Sequence, residues 1–201
     1  MMKEEDGKIG TSSLELHPRR VRVVLRKLRV ALALLMAVVL IWFARPEWFW
    51  WAVGVALCGE CIQLWAASCL EKNLVFRPRG PYTLVRNPMY CGRFLVVLGQ
   101  LIVLGNPWFL YLAPAYVFVF CYYVIGRVRR EEETLAELFG ADYVAYREHV
   151  PRFFPNPFRP YQVHDSVWSF RWELVTRNHE ERNLFGLIFF FVIVQVRLLL
   201  G

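Results

Sequence analysis

Two clusters of residues carry the means for chemistry on a small charged molecule: Arg86-Asn87-Pro88-Met89-Tyr90 and, some forty residues on, Arg127 with Glu131-Glu132. Arg127 lies one helical turn before Glu131, so the two share a helix face. A guanidinium holds a carboxylate through two parallel hydrogen bonds, and a glutamate suits cationic or hydroxyl groups. Pro88 fixes the path of its loop and removes one donor. Gly92, just beyond, permits close approach of a neighbouring helix. Taken alone, Arg127–Glu131 equally reads as an exposed pair worth ~0.3–0.5 kcal/mol. Glu131–Glu133 alone equally reads as a solvated charge run. Only the combined spacing gives these residues a further meaning.

The elements that must position them belong to a membrane protein. Of the 201 residues, 57% are hydrophobic, against ~45–50% for a soluble domain, and the mean hydropathy is +0.33. The excess is gathered into runs, as in a chain solvated by lipid. The net charge of +7 comes from residues that flank apolar segments, which fits headgroups and insertion orientation and argues against nucleic acid. Cys58 and Cys61 form a lone CxxC without a second pair. Neither the five cysteines nor His17, His149, His164 and His179 show a metal-ligand spacing, so no metal is expected and the cysteines read as small packing residues.

Along the chain, a polar tail (1–18) precedes an Arg-rich start and an apolar run from Val30 to Ala44. A second run, Trp48 to Leu70, contains Glu60 and Gln63. An acid at that depth normally faces protein or a water-filled cavity; it reads as a packed, protonated side chain or as a participant in the reaction. A Pro/Gly-rich loop (71–89) leads to the stretches Cys91–Leu104 and Trp108–Ile125, which Gly105-Asn106-Pro107 folds into an antiparallel hairpin. Leu135, Leu138, Phe139, Tyr143 and Tyr146 then recur at helical spacing among charges, predicting an amphipathic helix that leaves the membrane, with Gly140 as a break. Pro151, Pro155, Pro157 and Pro160 end it. A polar segment (161–183) with Trp168, Phe170 and Trp172 is expected at the interface, followed by a last apolar helix, Leu184–Leu200. The expected fold is a single all-α integral membrane domain of about five transmembrane helices plus a cytoplasmic amphipathic helix. Lys and Arg counts put the N-terminus and both motif-bearing segments on the cytoplasmic side.

Gly80-Pro81-Tyr82 with Arg86-Asn87-Pro88-Met89-Tyr90-Cys91-Gly92 resembles the G-x-Y…R-H/N-P-x-Y-x-G signature of the isoprenylcysteine carboxyl methyltransferase family, which is related to phospholipid methyltransferases. Arg127, Glu131-Glu132, Leu135, Phe139-Gly140, Tyr143, Tyr146 and Val150-Pro151 resemble that family's second block. The likeness covers residues 70–155 and leaves 161–201 unaccounted for. It implies a helical membrane methyltransferase using S-adenosylmethionine on a lipid or prenylated acceptor held at the membrane. It implies donor contacts at Val75, Phe76, Tyr82, Asn87, Pro88, Met89, Tyr90, Gly92 and Glu131, with Glu132 a second candidate beside Glu131. Arg127 is implied as an acceptor contact, with Arg86 a second candidate for that role or for bracing the loop. Asn87 stands where many eukaryotic members have His; it hydrogen bonds but does not titrate near neutrality. The leading reading is O-methylation of the carboxylate of an isoprenylcysteine-type acceptor; the alternatives are N-methylation of a phospholipid amine and a non-catalytic binding or assembly protein. An amine acceptor must lose a proton, which would make Glu132 or Glu60 essential.

Overall fold

Among the described residues there are six α-helices and one short 3-10 turn, and no strand. The computed structural model describes residues 18–71, 76–155 and 169–201. The polar tail, Val75, and the stretch holding Pro157, Pro160 and Trp168 lie outside them. Two units are distinguished, Met1–Val38 and Val39–Gly201; the first contains most of α1 (Pro18–Trp42).

In the second unit, α2 (Pro46–Cys69) begins with proline in the first turn and Glu47 beside it, residues suited to a helix start because proline lacks a donor that would go unpaired there and a carboxylate complements the dipole. Its buried face carries Ala52, Ala56, Gly59, Gln63, Ala66 and Ala67. That face meets α3 (Pro88–Ile102) along Gly92 and Gly99. A Cβ on Gly92 would stand 2.6 Å from the Gly59 carbonyl oxygen and from Gln63 Cγ, and one on Gly99 would stand 2.6 Å from the Ala56 nitrogen. The two backbones are thus nearly in contact, the usual way for helices in lipid to gain packing energy without a hydrophobic drive between them. Glu60 and Gln63 are buried on this helix, and the Gln63 amide donates to Glu60 at 3.2 Å.

The hairpin expected at Gly105-Asn106-Pro107 is present: α3 ends at Ile102 and α4 (Trp108–His149) begins directly after it. The membrane stretch and the amphipathic stretch, read separately in the sequence, form one helix of 42 residues. It is continuous except at Gly140, whose φ of 55° and ψ of −129° kink it. A short α5 (Trp172–Arg177) and α6 (Glu181–Leu200) complete the unit.

The expectation of about five spans meets three helices long and apolar enough to cross a membrane, α2, α4 and α6. The apolar α3 has 15 residues, a length of ~22 Å against a hydrocarbon core of ~30 Å. In α1 the charges of Arg26, Lys27 and Arg29 leave an uninterrupted apolar run only from Val30 to Trp42. The CxxC cysteines also depart from the packing role expected of them. Cys58, Cys61 and Cys121 are exposed on the outer faces of their helices, whereas Cys69 is buried.

Candidate functional site

The loop between α2 and α3 is tied to the far half of α4 by direct hydrogen bonds. The Arg86 amide donates to the Pro151 carbonyl at 2.9 Å, and the Asn87 side chain donates to the Arg152 carbonyl at 3.4 Å. Tyr146 donates its hydroxyl to the Tyr82 carbonyl at 2.7 Å. The two sequence blocks, separated by a helical hairpin, are therefore one structure. Burial pushes the phenols of Tyr82, Tyr143 and Tyr146 up, that of Tyr143 to about 12, so each stays neutral.

Between the loop and the helix lies a cavity of about 340 Å³, within the ~300–1,000 Å³ usual for small-molecule sites. Tyr82 and the run Arg86–Tyr90 line one side, and Glu131, Glu132, Leu135, Leu138 and Phe139 line the other. Phe76 stands over Phe139, Tyr143 and Tyr146 with ring centroids 5.4, 5.4 and 5.1 Å away, making one end of the cavity aromatic. The end of α2 closes a third side through Cys69, Leu70 and Glu71.

The two adjacent glutamates have different surroundings because consecutive residues on a helix point about 100° apart. Glu132 is buried, accepting from Arg86 Nε at 3.1 Å and from Arg152 at 3.2 and 2.7 Å. Arg86 also donates to the Arg147 carbonyl at 2.5 Å. The Arg152 guanidinium, hydrogen bonded to Glu132, is held still more firmly protonated. Glu131 is half-exposed and accepts from the Tyr90 hydroxyl at 3.0 and 3.1 Å and from Arg127 Nε at 2.9 Å. Tyr90 in turn accepts from Arg127 Nε at 3.0 Å.

Of the residues singled out in the sequence, Phe76, Tyr82, Arg86, Asn87, Pro88, Met89, Tyr90, Glu131 and Glu132 share the cavity wall. Val75 lies outside the described residues. Gly92 is set back from the wall, because its missing side chain is used against α2. Arg127 also stands off the wall, at the rim with 52% of its side chain exposed, and touches the cavity through Tyr90 and Glu131. Glu60, the other acid considered, lies outside the lining. Sequence reasoning missed Arg152, whose only signal was its place after Val150-Pro151, where the chain must stop its helix. It also missed the wall from α2.

A profile of the phospholipid methyltransferase family matches residues 28–142. The chain is 34% identical over 80 residues to protein-S-isoprenylcysteine O-methyltransferase of Saccharomyces cerevisiae, covering 40% of this chain and 32% of that one. It is 32% identical over 97 residues to the enzyme of the same name from Schizosaccharomyces pombe, covering 48% and 40%. It is 35% identical over 71 residues to protein-S-isoprenylcysteine O-methyltransferase A of Arabidopsis thaliana, covering 35% and 34%. The matches thus span between a third and two-fifths of the length of these relatives. No solved structure matches the chain.

Proposed function

Because the chain belongs to the phospholipid methyltransferase family, we propose that its cavity takes up S-adenosylmethionine and that the protein methylates the carboxylate of an isoprenylcysteine-type acceptor. The observation that carries this reading is the joint lining of one cavity by the Arg86–Tyr90 loop and the Glu131 face of α4. The curated relatives, all named for isoprenylcysteine O-methylation, supply the acceptor class. Apolar helices on either side of the site, with basic residues at their ends, support a multi-pass protein whose cavity opens to the cytoplasm.

The residues present fit the donor. Its ammonium, sulfonium and ribose hydroxyls call for acceptors, and Glu131 offers a carboxylate at the cavity wall. Its adenine calls for an apolar, aromatic slot, which Phe76, Phe139, Tyr143 and Tyr146 form. The Asn87–Tyr90 turn would wrap it closely, since Pro88 holds that backbone in place. When bound there, S-adenosylmethionine would supply an electrophilic methyl group for transfer to the acceptor oxygen.

No general base is needed on this route, because a carboxylate is already an ionised nucleophile. The protein's contribution is then alignment, which lowers barriers by up to ~7–11 kcal/mol in favourable systems. Arg127 at the rim meets the acceptor carboxylate, while Tyr90 and Glu131 fix its orientation. Arg86, bonded to both Glu132 and the Arg147 carbonyl, braces the loop.

The family's name favours one other reading, N-methylation of a phospholipid amine. That route needs a carboxylate free to take a proton. Glu132 is engaged by two guanidiniums, Glu131 is paired with Arg127 and Glu60 stands outside the cavity, which supports the carboxylate acceptor instead. Glu131→Gln removes the negative charge while keeping the shape. Calorimetric titration with S-adenosylmethionine is expected to show about tenfold weaker binding, the scale of one charge-assisted hydrogen bond. Unchanged affinity would remove Glu131 from the donor site.

A further inference from the structure

The chain after residue 168 lies beyond both motif blocks and beyond the family match, yet it grips the cavity wall. A helix leaves its last four carbonyls without partners inside the helix. At the end of α2, Leu70 departs in an extended conformation, with φ −87° and ψ 102°, rather than through the left-handed glycine that commonly closes a helix. The Leu70 amide caps the Ala67 carbonyl at 3.3 Å, and further donors come from far along the chain. The Asn178 side-chain amide donates to the carbonyls of Ala67 and Leu70, both at 3.1 Å. Cys69 Sγ donates to the Ser169 carbonyl at 3.1 Å, and Arg171 pairs with Glu71 at 2.5 Å.

The turn so held is the one that lines the cavity with Cys69, Leu70 and Glu71. Its other side is pressed by the 3-10 turn Gly80–Thr83, which carries Tyr82. A Cβ on Gly80 would stand 2.4 Å from Cys69 Sγ, so any drift of this turn of α2 is passed straight to the loop that bears Tyr82. The salt bridge adds little, since both side chains are well exposed. The two amide bonds from Asn178 are the specific part: they reach Leu70 as well as Ala67, whose carbonyl also accepts the Leu70 amide at 3.3 Å.

We propose that Ser169–Asn178 is a clasp that positions the α2 wall of the cavity, with Asn178 as its positioning residue. The proposal rests on the reading of the cavity as the donor site. It gives Ser169–Asn178 a role in donor affinity, although none of these residues lines the cavity.

The test uses the full-length protein in detergent and S-adenosylmethionine as probe. Asn178→Ala is expected to bind it about tenfold more weakly, the scale of one or two lost hydrogen bonds, with little change in melting temperature. Ser169 Oγ lies 3.5 Å from Cys69 Sγ, so Ser169→Cys offers a tether that replaces the lost bonds. Under mild oxidant, Ser169→Cys combined with Asn178→Ala is expected to return to within about twofold of native affinity, and reductant should restore the defect. If Asn178→Ala fails to fold, Asn178→Ser takes its place with the same expected direction. Native affinity without the Asn178 amide, failure of Cys69 and the new cysteine to cross-link, or a defect that the tether does not repair would each overturn the clasp. Glu131→Gln, measured alongside, separates the two readings. If it weakens binding while Asn178→Ala does not, the clasp alone falls. If the native protein binds no S-adenosylmethionine, the site reading falls and the clasp with it.

Discussion

Replacing Glu132 with alanine will destabilise the protein by about 3–5 kcal/mol, the cost of leaving a buried charge without its partner. Glu132 neutralises two guanidiniums at once, and the Arg86 side chain it holds is only 10% exposed. Arg152 is 40% exposed, so water screens part of its loss and the lower end of that range applies. The Arg86 bond to the Arg147 carbonyl survives, but a lone carbonyl cannot neutralise a cation. The loop should therefore come away from α4, and the cavity with it. Thermal unfolding in detergent would register the loss, and donor binding should vanish before the helices melt. Glu132→Gln, which keeps the acceptor oxygen without the charge, should fall between alanine and the native residue.

Adding one methyl group at Gly59 is expected to be of similar consequence. Its Cβ would stand 2.6 Å from the Gly92 carbonyl oxygen and 2.7 Å from the Val96 nitrogen. Both are backbone atoms in a helix, so neither can rotate away. Overpacking usually costs about 1–3 kcal/mol, and with no side chain to yield, Gly59→Ala should sit at or above the top of that range. Because α3 begins at Pro88, separation of α2 from α3 would also move the Asn87–Tyr90 turn. Gly54→Ala on the same helix is the control: nothing lies within 4 Å of its Cβ, and it should be neutral or slightly stabilising. Reaction of buried Cys69 with a thiol dye during heating gives the readout, since that sulfur is covered in the folded protein.

What could be read from the residues, and what could not, follows from how each contact is coded. Leu135, Leu138, Phe139, Tyr143 and Tyr146 recur with the helical period, and Arg127 stands one turn before Glu131, so this helix was visible in the sequence. The Arg86–Tyr90 run announced itself through Pro88, which limits the loop's path. That these two groups meet depended on the hairpin at Gly105-Asn106-Pro107, also legible because it joins two apolar runs. The number of spans was harder. Apolar runs mark helices, but α3, with 15 residues, shows that such a helix can be shorter than a full span. Nor does the period reveal whether a helix stops between two differing stretches, as at Ile125, where α4 simply continues.

The wall formed by α2 and the clasp upon it were beyond reach for a different reason. Asn178 bonds to main-chain carbonyls 111 and 108 residues away, and every residue has a carbonyl. No partner side chain marks the position. Arg152 was hidden similarly: a single arginine after a helix stop has no periodicity, and its pairing with Glu132 is a product of the fold. The sequence sets Glu131 ahead of Glu132 as a donor contact but gives Glu132 no other role on the carboxylate-acceptor route. Only the geometry separates a buried structural acid from one that faces the cavity beside Tyr90.

The most direct measurement supplies the purified protein with methyl-labelled S-adenosylmethionine and two acceptors, a farnesylated cysteine with a free carboxyl group and phosphatidylethanolamine vesicles. The label should transfer to the farnesylated cysteine and be released as methanol by mild alkali, as an ester requires. Label fixed on the headgroup amine and stable to alkali, or no transfer to either acceptor, would contradict carboxyl methylation.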